Sequence, residues 1–77
     1  KTVYILKLAN GKYYTGCTGN LNKRLTEHAN GKSGYTSEHL PFKLVTSITF
    51  TDNEKAYNFE RYLKSGSGIA FRNNRLV

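Results

Sequence analysis

The chain has one cysteine, one proline, no methionine, no tryptophan and only five acidic residues among its 77. Each shortage excludes something. A lone cysteine, Cys17, closes no intrachain disulfide, so a small secreted disulfide scaffold is ruled out and a reducing compartment is the natural setting. No apolar run approaches the roughly 18 residues needed to span a bilayer, and no signal-peptide pattern opens the chain. The expected location is therefore the cytoplasm, with no membrane partner. A hydrophobic share of 38% in 77 residues suffices for one core but not two, so a single domain over residues 1–77 is expected. A core of this size supplies about 3–5 kcal/mol. Lys1 stands where an initiating Met would, which fits a domain carried within a longer protein.

The shortage of acid is also lopsided. No Asp or Glu precedes Glu27, while Lys1, Lys7, Lys12, Lys23 and Arg24 do, and twelve Lys and Arg in all give a net charge of +7 and a pI near 9.8. A polyanion is the partner this balance implies: nucleic acid, with DNA the first choice and RNA the second. The plain alternative is a solvated basic face. Lys12, Lys23, Lys32 and Lys64 are the candidate phosphate contacts. The six tyrosines serve equally as stacking surfaces or as core.

Several elements are readable. Val3 to Leu8 is β-branched and aliphatic, and the turn pair Asn10-Gly11 leads into Tyr13-Tyr14-Thr15, a hairpin signal. Tyr4, Leu6 and Leu8 share one face of it, whereas the facing of Tyr14 depends on a register the sequence leaves open. Gly16-Cys17-Thr18-Gly19 is expected to break the strand. Thr18 or Asn20 then caps a helix running to about Ala29, closed by Asn30-Gly31. Residues 32–41 read as a polar loop, because they carry glycine and Pro41 turns Leu40 away from helix. Phe42 to Phe50 is a third strand. Thr51-Asp52-Asn53-Glu54 has the form of a capping box opening a second helix to about Lys64. The run Ser65-Gly66-Ser67-Gly68 is expected to end it, leaving Ile69 to Val77 as a short final helix.

Two titratable residues sit where apolar ones would be cheapest. Leu21, Leu25 and His28 recur at i, i+4, i+7 on the first helix, with Arg24 on the shoulder of that stripe. Ala56, Glu60 and Leu63 repeat the spacing on the second, with Phe59 beside them. An ionised carboxylate on an apolar face costs several kcal/mol unless a cation, a metal or hydrogen-bond donors compensate it. For Glu60 the ordinary alternative is a salt bridge to Arg24 or a lysine, and for His28 it is a satisfied core histidine. Rival constellations are weaker. Cys17, His28 and His39 lack the paired spacing of zinc ligands. Gly16-x-x-Gly19 has no Gly-Lys-Ser/Thr after it, and no Ser/His/Asp set stands out.

Taken together, Val3-Tyr4-Ile5 on the first strand, Tyr14-Thr15-Gly16 after the hairpin, Asn20-Leu21-x-x-Arg24-Leu25-x-x-His28 on the helix and Glu60 on the next helix resemble the GIY-YIG nuclease superfamily. The likeness is greatest to its small single-domain bacterial branch. It spans Thr2 to at least Lys64. Thr2 replaces the glycine of the first motif and Thr15 the aliphatic residue of the second, neither of which removes a catalytic group.

The resemblance implies an α+β fold, a three-stranded antiparallel sheet flanked by helices in the order hairpin, α, β, α and a final α. It also implies an endonuclease hydrolysing phosphodiester bonds in DNA, with Tyr4, Tyr14, Arg24, His28 and Glu60 lining one concave face of the sheet. Glu60 would hold one divalent cation, Mg²⁺ or Mn²⁺. Arg24 would fork onto the phosphate, and nearby cations would lower the pKa of a tyrosine serving as base. His28 would take a proton from a tyrosine or from water. The family also carries an Asn near the start of the last segment, and Asn73 and Asn74 both lie in range, with neither assigned. The alternatives are a catalytically weak or inactive nucleic-acid-binding module of the same fold, or a basic interaction domain whose aromatics are only core. Retention of all five residue types favours the nuclease, since a binder has no use for a carboxylate facing its own phosphate site.

Overall fold

Thr2–Lys7 (β1) and Tyr13–Thr18 (β2) form the hairpin in a computed structural model that describes residues 1–77. Gly11 turns the chain with φ +83°, a conformation glycine adopts freely, which is why the Asn-Gly pair works here. The register sets Tyr4 opposite Gly16 and Leu6 opposite Tyr14. Directly opposed residues share a face, so Tyr14 joins Tyr4 and Leu6 while Tyr13 points the other way. β2 does not break at Gly16: it runs through Thr18, because Gly16, Cys17 and Thr18 pair with Tyr4, Val3 and Thr2.

Lys43–Thr49 (β3) pairs on the other side of β1, giving the antiparallel order β2-β1-β3. As the central strand, β1 has both faces covered, and this accounts for the unbroken buried run Val3 to Leu6. Leu21–Ala29 (α1) starts where Asn20 accepts from the Lys23 N–H. It covers the face carrying Tyr4, Leu6 and Leu8 with Leu21 and Leu25. Asn53–Leu63 (α3) covers the other face, with Ala56 and Leu63 packed on Val3 and Ile5. Its cap is Asp52, one residue later than the capping-box reading. That carboxylate accepts from both Glu54 and Lys55 N–H groups, more than the Thr51 hydroxyl offers.

Two segments depart from the sequence reading. Within the expected loop 32–41, Gly34–Ser37 forms one short helical turn, α2, which buries Thr36. The Ser-Gly run is not a plain terminator either, because Gly66–Arg75 (α4) begins inside it, with Ser65 accepting from the Gly68 N–H. A Cβ at Gly68 would lie 1.6 Å from the Tyr62 carbonyl oxygen, so glycine there lets α4 touch the end of α3.

Candidate active site

Tyr4 projects from β1 and is 1% exposed, its ring lying over Gly16 of β2. A Cβ at Gly16 would stand 2.4 Å from the Tyr4 hydroxyl oxygen, so only glycine accommodates the ring in this position. The hydroxyl meets His28 Nε2 at 2.8 Å. On the far side of the imidazole, Nδ1 meets Thr36 Oγ1 at 2.8 Å, and the Thr36 hydroxyl donates to the Ser33 carbonyl at 2.9 Å. Tyr14 and Phe42 close the cage edge-on, with ring centroids 5.2 Å and 6.1 Å from that of His28. No buried side-chain polar atom lacks a partner, as a core containing this much polarity requires.

Arg24 lies one helical turn before His28 with its head half in solvent. Its guanidinium donates to Ser33 Oγ at 3.2 Å and pairs with Glu27 at 3.4 Å. It also stands close to the Tyr4 and Tyr14 hydroxyls, and the Tyr4 contact is the largest cause of a raised Arg24 pKa. Burial pushes the Tyr4 phenol above its ordinary value, with Arg24 opposing and the negative charge of Tyr14 and Glu60 adding to the rise. Contrary to the expectation from composition, cations do not leave Tyr4 easily ionised, because desolvation outweighs the guanidinium beside it. Burial, then Arg24, pulls His28 below its ordinary value. Near neutrality the pair is a phenol and an uncharged imidazole.

Glu60 is positioned differently. It comes from α3, the helix on the opposite face, and its hydrogen bond is to Lys64 at 3.0 Å. The hairpin and α1 supply four of the five residues, and Glu60 comes from the helix layered on the other side of the sheet. Its charge still reaches Tyr4 and Cys17, raising the pKa of both. Lys64, read from sequence as a phosphate contact, is the lysine partner of the salt-bridge alternative for Glu60. Lys12, Lys23 and Lys32 are exposed and spread along the hairpin turn, α1 and the segment after it.

No three His, Cys, Asp or Glu side chains converge, so the Cys17, His28, His39 trio is not a metal cage. His39 instead packs against Tyr35 at a tilt of 58°, with ring centroids 4.8 Å apart. Asn73 and Asn74 are both exposed, and Asn73 accepts from Arg72 at 3.0 Å. Three residues escape the sequence reading. Ser33 and Thr36 lie in the stretch taken for loop and reveal their role only through contact with His28. Arg72 sits over the Tyr13 ring at 4.9 Å and, with Lys64 and Tyr14, lines a groove of about 280 Å³ beside the tyrosine cluster.

The chain matches the GIY-YIG catalytic domain family over residues 1–73. It is 40% identical over 63 residues to a UPF0213 protein of Halalkalibacterium halodurans, covering 80% of this chain and 67% of that one. Identity is 43% over 63 residues to a UPF0213 protein of Clostridium perfringens, with 80% and 68% covered. For a Streptococcus pneumoniae UPF0213 protein it is 38%, with 80% and 64% covered. The solution NMR structure of the UPF0213 protein from Bacillus halodurans superposes with a TM-score of 0.54 at 39% identity, over 82% of this chain and 68% of that chain. The chain spans about two thirds of the length of these relatives.

Proposed function

Because the chain belongs to the GIY-YIG family, in the branch of small bacterial UPF0213 proteins, we propose that it is an endonuclease hydrolysing phosphodiester bonds in DNA. The observation that carries this reading is the buried 2.8 Å contact between Tyr4 and His28 with the Arg24 guanidinium beside it. A purely structural pair would not call for a half-exposed cation held against the phenol.

Hydrolysis forms a water oxygen to phosphorus bond and breaks the bond from phosphorus to the leaving oxygen. The attacking water must lose a proton as it reacts. A phenol whose pKa is raised is a poor standing base, but it serves as a relay. The Tyr4 oxygen takes the proton from water while its own passes to His28 Nε2, so no free phenolate has to persist. Arg24 stabilises the non-bridging oxygens as their charge grows, and its fork suits two of them at once. Tyr14, on the same face as Tyr4, orients the water or the phosphate. Glu60 is a single carboxylate with no further His, Cys, Asp or Glu converging on it, a donor set suited to one ion that keeps most of its waters. Glu60 would hold such an ion, Mg²⁺ or Mn²⁺, in place of its Lys64 partner, and the ion would supply charge neutralisation at the phosphate. Lys64 and Arg72 then bind a flanking phosphate along their groove.

The test is incubation of supercoiled plasmid and of branched DNA with the protein in Mg²⁺ or Mn²⁺, with and without chelator. Nicking that needs the metal, and that Glu60→Gln abolishes while DNA binding survives, is the expected result. Binding without turnover under every condition would leave the inactive nucleic-acid-binding module as the correct reading. Wild-type cleavage by Glu60→Gln would make Glu60 structural.

A further inference from the structure

We infer that Thr36 is a positioning residue which, anchored by the Ser33 carbonyl, holds His28 in the Nδ1–H tautomer so that Nε2 is free to accept the Tyr4 proton.

The hydrogens available to these groups fix the direction of each bond. A threonine hydroxyl has a single hydrogen, and a backbone carbonyl can only accept. The Thr36 hydroxyl lies 2.9 Å from the Ser33 carbonyl and donates to it. Its one donor is then used, so toward His28 Nδ1, 2.8 Å away, Thr36 Oγ1 acts as acceptor, and Nδ1 must carry a proton. An uncharged imidazole has one N–H, which leaves Nε2 with a bare lone pair. The Tyr4 hydroxyl, 2.8 Å from that lone pair, is therefore the donor. The direction of the whole chain follows, from Tyr4 to His28 to Thr36 to Ser33. It runs opposite to the Nε2–H tautomer that free histidine favours. His28 and Thr36 are both 0% exposed, so no water competes to reverse it. The lowered basicity of His28 keeps the ring uncharged at neutral pH, the condition on which the count depends.

This also explains a short α2. Ser33 and Thr36 bracket a single turn, and Ser33 contributes twice, its carbonyl fixing Thr36 and its hydroxyl accepting from Arg24 at 3.2 Å. One segment thereby orients both the base and the phosphate-binding cation, the role that an oriented hydrogen-bond acceptor plays behind a functional histidine.

The functional consequence rests on the nuclease reading, but the tautomer does not. Imidazole ¹⁵N shifts of His28 in the wild-type protein at neutral pH are expected to show a protonated Nδ1 and a bare Nε2. Thr36→Val, which keeps the shape and removes the acceptor, is expected to release Nε2–H into the population. Thr36→Ser is expected to retain the wild-type pattern. In cleavage assays Thr36→Val should lower kcat about 10–100-fold with KM unchanged, and Thr36→Ser should restore most of it. A protonated Nε2 in the wild-type protein overturns the inference, whether or not Thr36→Val folds. So does a tautomer unchanged by Thr36→Val. If the ¹⁵N pattern is as expected and no DNA is cut, the tautomer assignment stands and the nuclease reading fails.

Discussion

The two faces of the sheet are built from alternate residues of the same strand, yet they are held together in different ways. On the α3 and α4 side, Val3 and Ile5 meet Ala56, Leu63 and the rings of Phe50 and Phe59, and the contacts are apolar. On the α1 side, Tyr4 and Leu6 meet a chain of hydrogen bonds through His28 to Thr36, threaded between Tyr14, Leu21 and Leu25. An apolar face tolerates imprecision, since dispersion and burial are roughly additive over area. A buried polar chain does not, because each member left unpaired costs about 1–3 kcal/mol. Neighbouring positions of β1 therefore call for different measurements, stability alone at Val3 and Ile5, and both stability and the proposed turnover at Tyr4.

Changes on the two faces should separate accordingly, and the largest separation is expected at Tyr4. Removing its hydroxyl in Tyr4→Phe should cut turnover on the order of 10²–10⁴-fold, by loss of the relay. It should also destabilise the fold by about 1–3 kcal/mol, because His28 Nε2 is left buried without a partner. Single-turnover cleavage and urea unfolding read the two effects, and turnover within twofold of wild type would remove Tyr4 from the chemistry. The mirror experiment is Leu63→Ala on the apolar face. It should cost about 2–5 kcal/mol of stability and, below its unfolding temperature, leave the cleavage constant nearly unchanged. Equal losses of turnover in both variants would mean that the faces are not separable.

A smaller effect should appear on acidification. The folded-state pKa of His28 lies below its unfolded value of about 6.5, so between the two the unfolded chain binds the extra proton. Stability should therefore fall as pH drops from about 6.5 to the folded value and then level off. The cleavage rate should share this limb, with half-maximal activity below about 6.5 because the relay needs an uncharged imidazole. A midpoint above that value would show His28 charged in the working site. The smallest effect is expected at Tyr13, whose ring faces the apolar side under Arg72. Tyr13→Phe keeps that ring, so activity and stability should both match wild type, and a loss equal to that of Tyr14→Phe would contradict the strand register.

What could be read from sequence follows the same division between local and distant causes. The hairpin, α1 and α3 are announced by residues adjacent to them, an Asn-Gly turn, a Thr18 or Asn20 cap and the Thr51 to Glu54 capping-box run, and by stripes of correct period. His28 and Glu60 stand out as polar breaks in those stripes. α2 has no such local signature, because four residues cannot show a period and its stability comes from Thr36 reaching His28 across the chain. The start of α4 is masked for a related reason: Gly66 and Gly68 weaken helix locally, and only the close approach of Gly68 to Tyr62 reveals their use. The layer from which Glu60 approaches is equally invisible, since the stripe shows that a residue points inward and not which face of the sheet lies there.

The ring of Tyr4 resting on Gly16 gives the two short motifs a common geometry. In sequence they are separate words, each too brief to mean much, but in space Tyr4 and Gly16 are cross-strand partners occupying one volume. The glycine is a vacancy shaped by the tyrosine, so the two positions should vary as a pair and not independently. A methyl group in Gly16→Ala would have to displace the phenol from His28, acting on the site without touching any group that does chemistry. A smaller residue at position 4 would make room for that methyl and let the hairpin re-form, but without the hydroxyl. Such a pair of changes should recover folding but not the hydroxyl on which the proposed relay depends, so compensation at this contact restores the hairpin without restoring the site.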